Sequence, residues 1–154
     1  MFMDQQQEQS NIQPSSHLEA VLVPADGVEK VWVLAEGFVE AACKTTDKQT
    51  PSSVFDGLIE DKCQLWLVYD VEEGEVISSV ITEICCWPSG TWSALITLCG
   101  GLQVNRWAPL IAKIEDWARS EGCHAVEVLG RKGWARIFRD MDYTPSEFWV
   151  RKEL

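Results

Sequence analysis

Trp92-Ser93-Ala94-Leu95-Ile96-Thr97-Leu98-Cys99-Gly100-Gly101, with the segment that runs from it to Cys123, decides how this chain folds. The first eight residues are mostly apolar, as expected of a strand covered on both faces. The glycine pair predicts the end of that strand. Asn105 then reads as the N-cap of a helix, and Pro109 is tolerable in its first turn, where amides lack intrahelical acceptors. Trp107, Leu110, Ile111, Ile114, Trp117 and Ala118 recur at helical spacing, and Gly122 suits the residue just past the helix end. Ala125, Val126 and Val128 begin another short strand. Strand, tight turn, helix, strand is a βαβ unit, so its two strands should be parallel and its crossover right-handed.

The rest of the chain is laid around this unit. Residues 18–23 predict a first strand, stopped by Pro24. Asp26 can cap a helix running to about Lys44, with Val28, Val31, Trp32, Ala35, Phe38, Val39 and Ala42 as its apolar stripe. Thr50-Pro51 reads as an N-cap followed by proline at the first helical position. A short helix over 51–61 follows, with Val54, Phe55, Leu58 and Ile59 inward. Strands are expected over 64–69 and 75–86, joined by a turn at Glu72-Glu73-Gly74, and Trp87-Pro88-Ser89-Gly90 turns the chain into the opening strand. A helix over 133–141 should bury Trp134, Ile137, Phe138 and Met141, and a last strand over 147–152 should close the chain. The order is β-α-α-β-β-β-α-β-α-β, an α/β fold with a mixed, mostly antiparallel sheet in one domain spanning residues 18–154. Residues 1–17 are polar and rich in glutamine without periodicity, so they read as an arm that is disordered or ordered by a partner.

Composition narrows the function classes. A net charge of −11 argues against nucleic-acid binding, since phosphate contacts dominate that affinity. The charge is uneven: residues 1–105 hold 4 Lys/Arg against 16 Asp/Glu, whereas residues 106–154 hold 9 against 8. No apolar run approaches the ~20 residues of a membrane span, and no signal peptide opens the sequence, which together predict a non-membrane protein. Six cysteines without a C-x-x-C pair, most of them inside apolar runs, read as reduced and buried thiols. With only His17 and His124 beside them, no metal site is expected. Eight tryptophans suit core positions or an aromatic-rich interface.

The element order resembles the GNAT fold of acetyl-CoA-dependent N-acetyltransferases. The long helix after the fourth strand, its Glu115-Asp116-Trp117-Ala118-Arg119-Ser120-Glu121-Gly122-Cys123 ending, and the short late helix followed by Tyr143 carry the resemblance. Gly130-Arg131-Lys132-Gly133-Trp134, Cys99-Gly100-Gly101 and the closing Glu153-Leu154 look like a branch of small GNAT-like proteins encoded by tailed phages. The resemblance implies a sheet splayed between the fourth and fifth strands. It also implies that a CoA molecule, if bound, would lie along Leu98, Cys99, Gly100, Gly101, Gln103 and Asn105. There the family's Q/R-x-x-G-x-G/A motif lets backbone amides approach a pyrophosphate. Here the glycine positions fall on Asn105 and Trp107. Many members also use a late-helix tyrosine to protonate the leaving thiolate; that position falls on Phe138.

These two departures lead to the expectation of a phage-encoded protein without ordinary acetyltransferase chemistry, with no catalytic residue and no cofactor. It would act as a virion or assembly component, in the virion or the host cytoplasm, on other phage proteins or as a homo-oligomer. The alternative is a divergent N-acetyltransferase that uses acetyl-CoA on a host or phage amine. A third reading is an effector that binds one bacterial protein through its tryptophans. Glu83 reads as a solvent-facing strand carboxylate rather than a base, and His124 as structural. Arg131, Lys132, Arg136 and Arg139 form a basic cluster suited to docking an acidic partner or holding an anion.

Overall fold

Five strands pair in sequence order into one sheet: β1 (Leu18–Val23), β2 (Gln64–Asp70), β3 (Glu75–Cys86), β4 (Trp92–Gly101) and β5 (Ala125–Val128). The computed structural model describes residues 17–102, 104–130 and 132–154, so the arm lies outside the described residues. The first four strands form an antiparallel meander, and β5 runs parallel to β4 as the βαβ reading requires. The turns between the meander strands sit where glycine supplies positive φ, Gly74 at 69° and Gly90 at 87°.

On one face lie α1 (Val28–Cys43) and α2 (Pro51–Ile59). The α1 stripe buries Val28, Ala35, Val39 and Ala42 against Leu65, Leu67, Ile81 and Leu98. Asp26 does not cap α1. It sits in a 3-10 turn over Ala25–Gly27, and the N-cap is Gly27, with no side-chain bond. Thr50 does cap α2: its Oγ1 accepts from the Ser53 amide at 3.1 Å, and the Ser53 Oγ accepts from the Thr50 amide at 2.9 Å. Ile59, expected inward, is 46% exposed because α2 ends there and the chain turns away.

The other face is covered by the second half of the chain, where two boundaries differ from expectation. β4 does not stop at the glycine pair but runs through it. A Cβ on Gly100 would stand 2.2 Å from the Phe38 carbonyl oxygen of α1, and one on Gly101 2.6 Å from the Ile77 oxygen of β3. The glycines therefore mark close backbone approach inside the sheet, not a break. The helix that follows comes in three pieces, α3 (Val104–Trp107), a 3-10 turn (Ala108–Leu110) and α4 (Ile111–Ser120). Pro109 has no amide to give a continuous α-helix, and Asn105 lies within α3 rather than at a cap. Trp107, Ile111 and Ile114 pack with Trp66, Val80 and Ile96, and Gly122 takes a φ of 82° beyond α4.

α5 (Lys132–Arg139) adds Phe138 to the same core, with Trp134, Ile137 and Met141 packed around it. The closing strand expected over 147–152 is not formed. Residues 144–154 are irregular and exposed, and Phe148, Trp149 and Val150 keep 83%, 81% and 98% of their surface. A strand needs an edge to pair with, and sequence pattern cannot supply one. All six cysteines are free; Cys43 and Cys63 are buried as expected, but Cys86, at the end of β3, is exposed.

Candidate functional site

The site follows from an incomplete strand pair. Ser93–Ile96 of β4 pair with Ala125–Val128 of β5, and the Leu129 amide donates to the Ile96 carbonyl at 2.9 Å. Beyond that point β4 continues to Gly101, and among the described residues nothing pairs with it on the β5 side. The two parallel strands therefore part at their carboxyl ends. Thr97–Gly101 lines one wall of the wedge, and Leu129, Gly130 and the start of α5 follow the other. Crevices outside the carboxyl ends of parallel strands are where open α/β sheets bind ligands.

The residues expected to line a cofactor path meet different fates. The Leu98 side chain is 6% exposed and belongs to the core under α1, so only its backbone can face the wedge. Cys99 points to the opposite face; burial pushes its thiol up to about 12, which keeps it protonated and unsuited to nucleophilic attack. Gly100 and Gly101 serve the packing described above. Asn105 is exposed on α3, and Gln103 lies outside the described residues.

Trp107 changes the argument most. A large side chain at a position where backbone should meet a pyrophosphate reads, in sequence, as an obstruction. In the structure it is 1% exposed, with its ring 6.2 Å from that of Trp134 in the core beneath α4 and α5. It continues the apolar stripe of Ile111 and Ile114, so its bulk is withdrawn from solvent. Its indole N–H has no acceptor among the described residues.

Phe138 is 3% exposed, 5.9 Å from the Trp134 ring and 5.0 Å from the Tyr143 ring. It is a core residue and has no proton to give. The Tyr143 hydroxyl donates to Glu115 Oε2 at 2.8 Å, and burial together with that bond holds the phenol well above its ordinary value. Glu83 faces solvent on β3; burial and then the Glu83 charge push the Cys63 thiol up to about 11. His124 is structural: its Nδ1 accepts the Trp92 amide at 3.0 Å while its own amide donates to the Trp92 carbonyl at 2.8 Å, tying β4 to the entry of β5. Of the basic cluster, Arg136 and Arg139 are exposed on α5, whereas Arg131 lies outside the described residues.

Two features were not anticipated. Asp70 accepts the amides of Glu72 and Glu73 at 3.0 and 3.2 Å and pairs with Arg106 Nη2 at 3.2 Å, which fastens α3 to the β2–β3 turn. Those amides, that of Glu73 foremost, together with the guanidinium hold its carboxyl below the usual range. The Asp-x-Glu-Glu-Gly turn was a local signal for the first contact; nothing in sequence points to Arg106. The second is an open apolar groove of about 370 Å³ beside β1, lined by Val21, Val31, Leu34, Leu67, Val71 and Val76. Among the described residues no cluster of His, Cys, Asp and Glu could hold a metal, and no helix is long and apolar enough to cross a membrane.

No family model matches the sequence, and no curated protein matches it. Solved structures do. An aminoglycoside acetyltransferase from an uncultured soil metagenomic sample, in complex with trehalose, is 15% identical and superposes with a TM-score of 0.66, covering 90% of this chain and 95% of that one. The aminoglycoside N-acetyltransferase AAC(6')-Iy in complex with CoA is 12% identical, with a TM-score of 0.66 and coverage of 90% and 95%. The ribosomal-protein-alanine N-acetyltransferase from Brucella melitensis biovar Abortus 2308 is 9% identical, with a TM-score of 0.61 and coverage of 89% and 97%. These likenesses correct the expectation of a virion or assembly component without acetyltransferase chemistry: the structures this chain follows over nearly its whole length are acetyltransferases, and one of them carries CoA. The sheet, its β4–β5 wedge and the helices on its two faces make this the GNAT fold.

Proposed function

We propose that the chain is an acetyl-CoA-dependent N-acetyltransferase whose acceptor is a cationic amine. The observation that carries this reading is the β4–β5 wedge with Trp107 withdrawn from it. The Trp107 side chain, at a glycine position of the family's pyrophosphate motif, is turned into the core and not into the wedge. Acetyl-CoA would supply an activated acyl group, held along the backbone of Leu98–Gly101 and beside Asn105 of α3. The acceptor nitrogen, in its neutral form, would attack the thioester carbonyl carbon; a C–N bond would form, the C–S bond would break, and the amine would give up one proton. Phe138 has no proton to give and the Cys99 thiol is turned to the opposite face, so neither would protonate the departing thiolate, which would take its proton from water.

Electrostatics support the acceptor class. Residues 1–105, which carry α1, α2 and the wedge wall, hold 16 acidic against 4 basic side chains. Such a field concentrates cationic substrates near the protein. Aminoglycosides, the substrates named for two of the structures above, are polycations of this kind. The run Gly130-Arg131-Lys132-Gly133-Trp134 supports a tailed-phage origin, which would place the activity in the host cytoplasm, where acetyl-CoA is made.

Titration calorimetry of the purified chain with acetyl-CoA tests the reading. Micromolar binding, followed by amine-dependent thiol release with an aminoglycoside, a polyamine or an N-terminal peptide, is the expected result. Binding no tighter than about 1 mM, equivalent to about −4.1 kcal/mol, overturns it.

A further inference from the structure

We infer that Asp70 is a positioning residue for the cofactor: by clamping Arg106 it fixes α3, and with it the backbone beside the wedge against which acetyl-CoA would lie. This role rests on the acetyl-transfer reading, and it falls to a residue of β2, with β3 standing between its strand and β4.

α3 cannot hold its own place. It has four residues, a single turn, and a helix of that length does not repay the cost of its nucleation. Pro109 lacks the amide that would extend it, so a 3-10 turn follows. Its position is therefore set by contacts outside it. Before it, the Leu102 amide donates to the Ile77 carbonyl of β3 at 2.9 Å, which pins the chain where β4 ends. At its far end Trp107 is sunk in the core. A segment pinned at two points can still swing about the line between them. The Arg106 guanidinium supplies a third point, with Nη2 3.2 Å from Asp70 Oδ2.

Asp70 suits the part of a fixed post. It is 7% exposed; its Oδ1 accepts the Glu72 and Glu73 amides, and its carbonyl accepts the Gly74 amide at 2.8 Å. That turn needs only one carboxylate oxygen. An asparagine would serve it as well, since its side-chain oxygen accepts the same two amides. What an asparagine lacks is the second, charged oxygen, and that is the one that meets Arg106. Burying a charge is costly unless it is paired and hydrogen-bonded, so the clamp explains the carboxylate and the turn does not. The pair is also the least exposed of the ion pairs among the described residues, with side chains 35% and 10% exposed where those of Arg119 and Asp116 are 70% and 77%. A sheltered pair holds a geometry that a solvent-screened one does not.

The residues of α3 make such a post useful. Asn105 and Trp107 stand at the glycine positions of the family's pyrophosphate motif, and a residue with a side chain leaves the backbone less freedom to adjust to a ligand than glycine does. A backbone that adapts poorly must be placed correctly beforehand, and a site ordered in advance loses less free energy on binding. Loss of the clamp should therefore appear in cofactor affinity.

Titration calorimetry with acetyl-CoA and amide hydrogen exchange of the ligand-free chain test the role together, on the full chain and on Asp70→Asn, which keeps the turn and removes the clamp. Acetyl-CoA should bind the variant about tenfold more weakly, the size expected for one charge-assisted contact. Without ligand, exchange at the Leu102 amide and through α3 should quicken, while the Glu72 and Glu73 amides keep their protection. Arg106→Gln should weaken acetyl-CoA by a similar factor, and the double variant by no more than either alone, because both remove one contact. A parent chain that binds no acetyl-CoA overturns the acetyl-transfer reading and this role with it. Where the parent binds, an Asp70→Asn chain that binds as tightly, equal quickening at Glu72 and Glu73, or single losses that add in the double variant overturn the positioning role alone. If Asp70→Asn does not fold, Arg106→Gln decides by itself, and undiminished affinity there overturns the role.

Discussion

Residues 18–101 and residues 104–154 contribute to one sheet but are built in opposite ways. In the first region every strand pairs with its neighbour in sequence, each connection is a short turn or a helical hairpin, and β2 and β3 are paired along both edges. In the second, β5 pairs over four residues, the helix before it is broken at Pro109, and the last segment pairs with nothing among the described residues. Yet this looser region owns the larger aromatic cluster, with Trp107, Trp134, Phe138 and Tyr143 in a chain of ring contacts. The difference teaches that the wedge is held open by side-chain packing behind it, while the meander is held by backbone pairing. Packing without strand pairing is what leaves β4 and β5 apart at their carboxyl ends.

That contrast can be broken by experiment, and the largest expected effect is at Phe138. Phe138→Ala should cost about 3–5 kcal/mol in a urea melt, because it empties the centre of the aromatic cluster. A loss near zero would mean that α5 does not brace the wedge and that the two regions differ only in strand length. A pair of glycines sharpens the other side of the comparison. Gly100→Ala should destabilise by about 1–3 kcal/mol through overpacking, since the new methyl group must displace α1 backbone. Gly37→Ala, in the exposed face of α1 with nothing within 4 Å of the added carbon, should instead stabilise by about 0.5–1 kcal/mol. Equal effects of the two substitutions would show that β4 does not press on α1 as described.

The smallest effect is spectroscopic and compares one tyrosine from each region. Tyr69 donates to Glu19 at 2.7 Å and Tyr143 to Glu115 at 2.8 Å, and each phenol is held above its ordinary value, Tyr69 chiefly by its glutamate and Tyr143 chiefly by burial. A raised folded value means that the stabilisation is fully present below the unfolded phenol pKa of about 10 and is lost as pH climbs above it towards the folded value. Near-ultraviolet absorbance should therefore show less phenolate at about pH 10 in the native chain than in denaturant, where the phenols are half ionised. Tyr143→Phe should flatten the alkaline fall in stability more than Tyr69→Phe, since only Tyr143 is well removed from water. Native ionisation at the denatured midpoint would place both rings in solvent.

Several boundaries were legible because they rest on local chemistry. Thr50-Pro51, Gly74, Gly90 and Gly122 each specify a cap or a positive-φ turn through their own covalent structure, and each lies where it was read. The stripe of α1 and that of the split helix were equally plain, because helical spacing is a property of neighbours in sequence. Gly100-Gly101 was misread as a stop since glycine in a strand has two uses, and only the nearness of Phe38 and Ile77 selects between them. Trp107 was misread as an obstruction for a related reason: its residue type was visible, but the direction of its side chain was not.

By itself, then, the sequence determined the order of the elements through β5 and α5, the parallel βαβ unit, the antiparallel meander and the burial of Phe138. All of these depend on periodicity and on backbone preferences acting over a few residues. The splay between β4 and β5 was expected from the resemblance, but only the tertiary structure decided that it begins after Ile96 and Val128, that Trp107 turns into the core, and that Arg106 reaches Asp70. It also decided that Phe148, Trp149 and Val150 pair with no strand among the described residues. These outcomes depend on which distant surface competes for each group. Burial and strand pairing reward contacts between residues far apart in the chain, and no local pattern records which of those contacts is made.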